Sequence, residues 1–365
     1  MSTTERRYDV DWIRVIAIGL LLLYHIGIVF QPWGVFLGFL QSSKPLDSLW
    51  PPMAMLNVWR IPLLFFVSGM GVCFAMRKRN WKQLISERVR RILIPFLFGI
   101  IILVPVHTLI WQRYYSQDLQ YAPHPGHLWF LGNIFLYVML LSPIFFLLKK
   151  RQEGRVVQGI SRLFSHPAGP LLITLAFALE TAAVRPERFA MFAFTFHGFL
   201  LGMVAFLSGF SVVISGMSFW KTVRGWRWIY LAAGALMYTV RYIVFHLEAP
   251  GIFAAAESSL WIFAAFGFGY KYLNRPGKAL SYLSQAAYPV YILHMIFLFA
   301  GASMILPLKI SIVLQLFLVI AFTATGCFIS YEIIRRIPFL RPLFGLKPAG
   351  RDRQPVMKHR IRSAA

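Results

Sequence analysis

The chain has 365 residues, of which 58% are hydrophobic, 16% aromatic and only 14% charged, with a mean hydropathy of +0.63. That composition excludes a soluble globular domain and points to a polytopic membrane protein. The formal charge of +24 does not indicate nucleic acid, because the basic residues fall in short segments between apolar spans, where they set orientation.

The first apolar stretch, 8–30, reads YDVDWIRVIAIGLLLLYHIGIVF and carries Arg14 near its start and His25 deeper in. It is too long for the hydrophobic region of a cleavable signal peptide, and no small-residue cleavage site follows it. The 11-residue separation of Arg14 and His25 is three helical turns plus about 20°, so both side chains leave one face. Their Cα atoms then lie roughly 16 Å apart along the axis, about half a hydrocarbon core.

Stretches of spanning length follow in order, giving ten in all, near 12–31, 51–76, 92–112, 128–148, 170–184, 190–214, 228–246, 252–270, 283–306 and 309–334. The N-terminus and every second connection hold 29 Lys and Arg, whereas the alternate connections hold five. The fold class expected is therefore all-α, with about ten transmembrane helices and both termini in the cytoplasm. Residues 77–91 read as an amphipathic cytoplasmic helix feeding the third span, with Pro95 just inside that span. Residues 1–346 form the membrane domain, and 347–365 a basic, Pro- and Gly-containing cytoplasmic tail expected to be disordered. Cys73 and Cys327 both fall inside apolar spans without metal-ligand spacing, so they read as buried thiols.

Ionisable residues at membrane depth are costly and therefore become functional candidates. On this topology His25, Arg60, His107, His127, Glu180, His197, Arg241, Glu257 and His294 map to the middle or outer half of their spans, with Trp129 beside His127. Arg14 sits at the inner lip, and Glu332 lies beside Arg335 and Arg336. Of the histidines, His107, His197 and His246 read as packing or interfacial residues. A cationic inner face and a polar outer half suit an anionic donor entering from the cytoplasm and an acceptor outside. An imidazole where the two meet is able to move a proton at neutral pH.

These residues carry a resemblance. Arg14 and His25, an Arg-x10-His pattern behind Asp9 and Asp11, are similar to the first-span signature of the membrane acyltransferase family 3. WRIPLLFFVSG (59–69), with Phe65, Phe66, Ser68 and Gly69, resembles the family's second-span motif. Its Arg60-to-Pro62 opening resembles the branch containing periplasmic glucan succinyltransferases. ERVRRILIPFLFG (87–99), HLWFLGNIFLYVMLLSP (127–143), LSYLSQAAYPVYILH (280–294) and YEIIRRIPFLRPLFG (331–345) match in order, the last placing Glu332 at the late acidic position. One departure is Ala287 before Tyr288, where many members carry Ser-Tyr.

The resemblance covers nearly the whole chain. It implies a multi-pass O-acyltransferase of the bacterial inner (plasma) membrane, surrounded by lipid. Such an enzyme moves an acetyl or succinyl group from cytoplasmic acyl-CoA (acetyl-CoA or succinyl-CoA) to a hydroxyl of an envelope or extracellular glycan, without a metal. Arg14, Arg88 and Arg91 would hold the donor, His25 would be the general base, and Arg14, Arg60 and His294 would share in catalysis. His127, Trp129, Glu180 and Arg241 are the acceptor-binding candidates. Glu332 would order inner arginines. The competing reading is a proton-coupled secondary transporter or exporter, against which the lack of a visible internal repeat weighs.

Overall fold

A computed structural model describes residues 6–151 and 154–348. The predicted tail therefore lies, from residue 349 onward, outside the described residues. Among those described there is no β-strand, and the chain runs through α1 (Tyr8–Val29), α2 (Trp50–Met76), α3 (Trp81–Tyr114), α4 (Trp129–Lys150), α5 (Arg155–Ser165), α6 (Leu171–Val184), α7 (Phe196–Ile214), α8 (Ser218–Ile243), α9 (Gly251–Tyr272), α10 (Lys278–Ile305) and α11 (Ile312–Ile334). Eight helical segments among the described residues are long and apolar enough to cross a membrane. The other two expected spans correspond to α6, apolar but only 14 residues long, and α8, whose first turns carry Lys221, Arg224 and Arg227. Outward-facing apolar side chains such as Leu140, Ile144, Leu179, Leu236 and Phe317 are exposed on these helices. A surface of that kind is stable against lipid and not against water. Both cysteines are free and buried.

Helix boundaries differ from the sequence expectation in three places. Residues 190–195, expected inside a span, precede α7, because Thr195 caps that helix by accepting from the Gly198 N–H at 2.9 Å. Helix α8 starts ten residues before the expected 228, taking in the basic segment. Third, the expected amphipathic helix and third span are one helical run, α3, opened by a capping box in which Asn80 and Gln83 bond each other's backbone.

Within α3 the i→i−4 ladder widens to π-turns at Val89–Leu93 and Gly99–Leu103. The cause is in the sequence: Pro95 and Pro105 lack an N–H, and their rings crowd the carbonyls of Arg91 and Ile101, four residues earlier. Widening the turn relieves that crowding. The freed Ile101 carbonyl accepts from the Tyr121 hydroxyl at 2.9 Å. These bulges set the direction in which Arg88 and Arg91 leave the inner part of α3 and His107 leaves its outer part.

Helix α2 packs most closely on α7. A Cβ at Gly69 would strike the backbone of Phe206, and one at Gly209 would strike the backbone of Phe66. Small residues that let two backbones touch are the usual device for helix pairing in lipid. The Phe65–Gly69 part of the second-span motif is therefore packing: Phe65 and Phe66 are among the most buried side chains. Helix α1 lies against α2, α9 and α10, which brings its His25 face to the outer part of α10.

Candidate active site

His25 leaves α1 toward α10 and meets His294. The two rings stack with centroids 5.1 Å apart at 12°, and His25 Nδ1 lies 2.8 Å from His294 Nε2. The proton positions follow from the third member of the chain. His294 Nδ1 faces the backbone carbonyl oxygen of Tyr291, which only accepts, so this nitrogen carries the hydrogen. In the neutral ring Nε2 is then the acceptor and takes the Nδ1–H of His25. The Nε2 lone pair of His25 is left free, and among the described residues no protein group bonds it. His294 is fully buried while His25 is partly exposed. A buried imidazole thus fixes the tautomer of an accessible one.

Three more histidines extend this pair outward. His127 packs edge-on to His294 with centroids 4.9 Å apart, His107 lies 5.7 Å from His127, and His124 lies 6.5 Å from His107. His127 Nε2 donates to the Ile292 carbonyl at 3.1 Å, while the Tyr291 hydroxyl donates to the His127 carbonyl at 2.6 Å. This reciprocal pair fastens the entry to α4 onto α10. It leaves His127 Nδ1 as a buried acceptor with no partner, and His107 Nδ1 is also buried and unpartnered. His107 is buried and packs on Phe299, as expected of a packing residue, and it also groups with His127 and His124. His107, His127 and His294 come from three helical segments, and nothing in their spacing announces that they meet.

Arg60 stands beside this group. It is 4% exposed, its guanidinium lies 3.6 Å above the Tyr24 ring, and Nη2 reaches Asn57 at 3.3 Å. Its Nε and Nη1 have no partner, and no carboxylate pairs with it among the described residues. The ring contact returns about 2 kcal/mol when desolvated. Burying an unpaired cation costs several kcal/mol more than that. Through the ring contact Arg60 stands on Tyr24, the residue beside His25 on α1.

At the opposite end of α1, Arg14 bonds Asp11 at 3.1 Å, and Asp11 also holds Arg6 at 2.9 Å. Arg14 lies within electrostatic range of Arg91. Arg91 pairs with Glu87 at 3.2 Å and donates to the Gly345 carbonyl at 3.4 Å. Arg88 reaches only the Gly71 carbonyl, at 3.5 Å, and its Nε is buried without a partner. The Tyr288 hydroxyl, in range of Arg88 and Arg91, is likewise buried and unpartnered. Donors left open among three arginines fit the phosphates of an anionic donor. Glu332 pairs instead with Arg335 at 2.9 Å and Arg336 at 3.5 Å. The acid that orders the α3 arginines is Glu87, a residue the sequence reading passed over.

Glu180 and Arg241 belong to a different kind of site. Arg241 makes a two-point contact with Glu257, at 2.6 and 3.0 Å, and donates to the Ala54 carbonyl at 3.1 Å. Glu180 faces His197 Nδ1 at 3.0 Å, while His197 Nε2 donates to the Phe189 carbonyl at 2.9 Å. Both pairs are buried and complete in themselves. Trp129 packs edge-on to Phe65, 6.1 Å away, and against Phe194. Among the described residues, no three His, Cys, Asp or Glu side chains converge as metal ligands would.

Compared with known proteins, residues 7–332 match the model of the family described as acyltransferase domain. No curated protein and no solved structure matches the chain. The match spans both the inner arginines and the outer histidines, from the first helix to the last. An all-helical, multi-pass chain that matches this family over so much of its length belongs to the acyltransferase domain family and is a membrane acyltransferase.

Proposed function

We propose that the protein moves an acyl group, acetyl or succinyl, from cytoplasmic acyl-CoA to a hydroxyl of an envelope or extracellular glycan, with His25 as general base. It does so in a bacterial inner membrane that the chain crosses ten times, with both termini inside. The observation that carries this reading is the chain from the Tyr291 carbonyl through His294 to His25, which leaves His25 Nε2 unprotonated. His25 Nε2 takes the acceptor's O–H proton as its oxygen bonds the thioester carbon. The C–S bond then breaks and the imidazolium returns that proton to the leaving thiolate, so no proton is gained or lost overall.

Arg60 is the cation nearest this step, and its unpartnered N–H groups suit the negative charge that develops on the carbonyl oxygen. His294 acts through His25, as a positioning residue. Arg14, Arg88 and Arg91 hold the donor's phosphates, and Tyr288 adds a hydroxyl to that cluster. The α1 ruler, roughly 16 Å from Arg14 to His25 along the helix axis, then separates the phosphate site from the reacting carbon. His127 and Trp129 face the acceptor. Glu180 and Arg241, being paired internally, serve it by holding α6, α7, α8 and α9 in place.

The test is enzymatic and chemical. Purified protein in proteoliposomes is given acetyl-CoA or succinyl-CoA on one face and envelope glycan on the other, and thiol release is followed. Glycan-dependent release, with acyl groups appearing on the glycan by mass spectrometry and missing from a deletion strain, is the expected result. Release that never depends on a hydroxyl acceptor would remove the reading.

A further inference from the structure

A cavity of about 700 Å³ lies between the start of α3 and the end of α4, and none of its lining residues belongs to the site described above. Trp81 and Ile85 form its α3 side, and Met139, Pro143, Phe146 and Lys150 its α4 side. Met139 and Lys150 are 11 residues apart, which is about 16 Å along the helix axis. That is close to half of a hydrocarbon core about 30 Å thick. In the orientation proposed above, the groove runs from the cytoplasmic interface to the middle of the bilayer. Its wall at that depth faces lipid, since Met139 is 40% exposed, and Trp81 is 54% exposed at the interfacial end.

The two lysines at the interfacial end differ in what they do. Lys149 donates to the Met76 and Arg79 carbonyls, at 2.5 and 3.1 Å, and so closes the C-terminus of α2. Lys150 is exposed, and among the described residues no hydrogen bond or ion pair takes its ammonium. Residues 77–85 add Arg77, Lys78, Arg79 and Lys82 without an acid, and residues 139–151 hold no acid either. The next acid along α3, Glu87, is taken by Arg79 and Arg91. An apolar groove one leaflet deep, ending at an indole and an open cation, has the layout of a phospholipid. We propose that it holds one anionic phospholipid of the inner leaflet, its chain between α3 and α4 and its phosphate on Lys150 beside Trp81. The unopposed cations favour an anionic headgroup over a zwitterionic one. This site goes beyond the acyl-transfer reading and shares only its orientation.

The experiment titrates the detergent-solubilised full chain with phosphatidylglycerol or with phosphatidylcholine of the same acyl chains, and counts bound lipid by native mass spectrometry. One phosphatidylglycerol should be retained, about tenfold or more tightly than phosphatidylcholine. Lys150→Gln should weaken phosphatidylglycerol about fivefold and Lys150→Glu roughly 20- to 30-fold, with phosphatidylcholine little changed. Met139→Trp, which fills the deep end of the groove, should weaken both lipids. Lys278→Glu, an exposed site at the start of α10 on the same membrane face, should change neither. Equal affinity for the two lipids overturns the proposal, as does phosphatidylglycerol binding unchanged by either the Lys150 variants or Met139→Trp. An equal loss in Lys278→Glu would mark diffuse surface charge, and full competition by glycerol phosphate would mark a site without a chain; each overturns it. A mass of two chains with no lipid retained assigns the groove to a second copy and overturns it too. No arm uses acyl-CoA, so failure here is separate from failure of the acyl-transfer reading.

Discussion

The two groups of polar residues at membrane depth differ in how their partners are supplied. Around Arg241 and Glu180 every charge has its counterpart within the protein: Glu257 for the arginine, His197 for the glutamate. Around Arg60 and His25 the same kinds of side chain are left open, with unpartnered nitrogens on Arg60, His107 and His127. Both groups are costly to place in a membrane. One recovers that cost on folding; in the proposed function the other recovers it only when a substrate arrives. A buried arginine is therefore not by itself a sign of chemistry; a buried arginine without an anion is.

That contrast can be broken most forcefully at the paired site. Glu257→Gln leaves Arg241 buried without its anion and should cost about 3–5 kcal/mol, seen as a large drop in the thermal midpoint of the detergent-solubilised protein. Replacing both partners, Arg241→Met with Glu257→Leu, should restore most of that loss. Arg60→Met removes a buried cation that has no ion pair, so it should raise the thermal midpoint, or at least not lower it, while lowering acyl transfer about a hundredfold. If the two arginines behave alike in both assays, the comparison is wrong.

Smaller effects sharpen it. His294→Phe keeps a ring in the stack and removes the acceptor for His25 Nδ1–H. It should lower kcat by roughly a hundredfold with the donor's KM unchanged. A purely structural role would shift KM and stability together. Arg14→Ala should raise the KM for acyl-CoA about tenfold at constant kcat, the pattern of lost ground-state binding. Tyr121→Phe, which leaves the Ile101 carbonyl of the π-turn unpaired, should cost about 1 kcal/mol of stability.

The sequence made the helical layout legible because apolar length and Lys/Arg placement are local properties. Arg14 and His25 could be found for the same reason, since one helix carries both. What stayed hidden depends on more than one segment. His107 joins His127 only because α3 and the entry to α4 meet on α10, and Glu180 finds His197 only across α6 and α7. The π-turns were written in Pro95 and Pro105, but which carbonyls they freed, and that Tyr121 would take one, required the fold. Glu87 lies in the segment expected to be an amphipathic helix, four residues before Arg91; that it also pairs with Arg79, across the start of α3, required the fold.

The most direct measurement is acyl transfer by a His25→Ala protein. Radiolabelled acyl-CoA is supplied to proteoliposomes carrying the wild-type or variant chain, and label on the glycan is counted. Binding of acyl-CoA is measured in parallel. The account predicts that the variant inserts, keeps its thermal midpoint within a few degrees, still binds acyl-CoA, and transfers no label above background. Transfer at the wild-type rate by a correctly folded His25→Ala protein would contradict it.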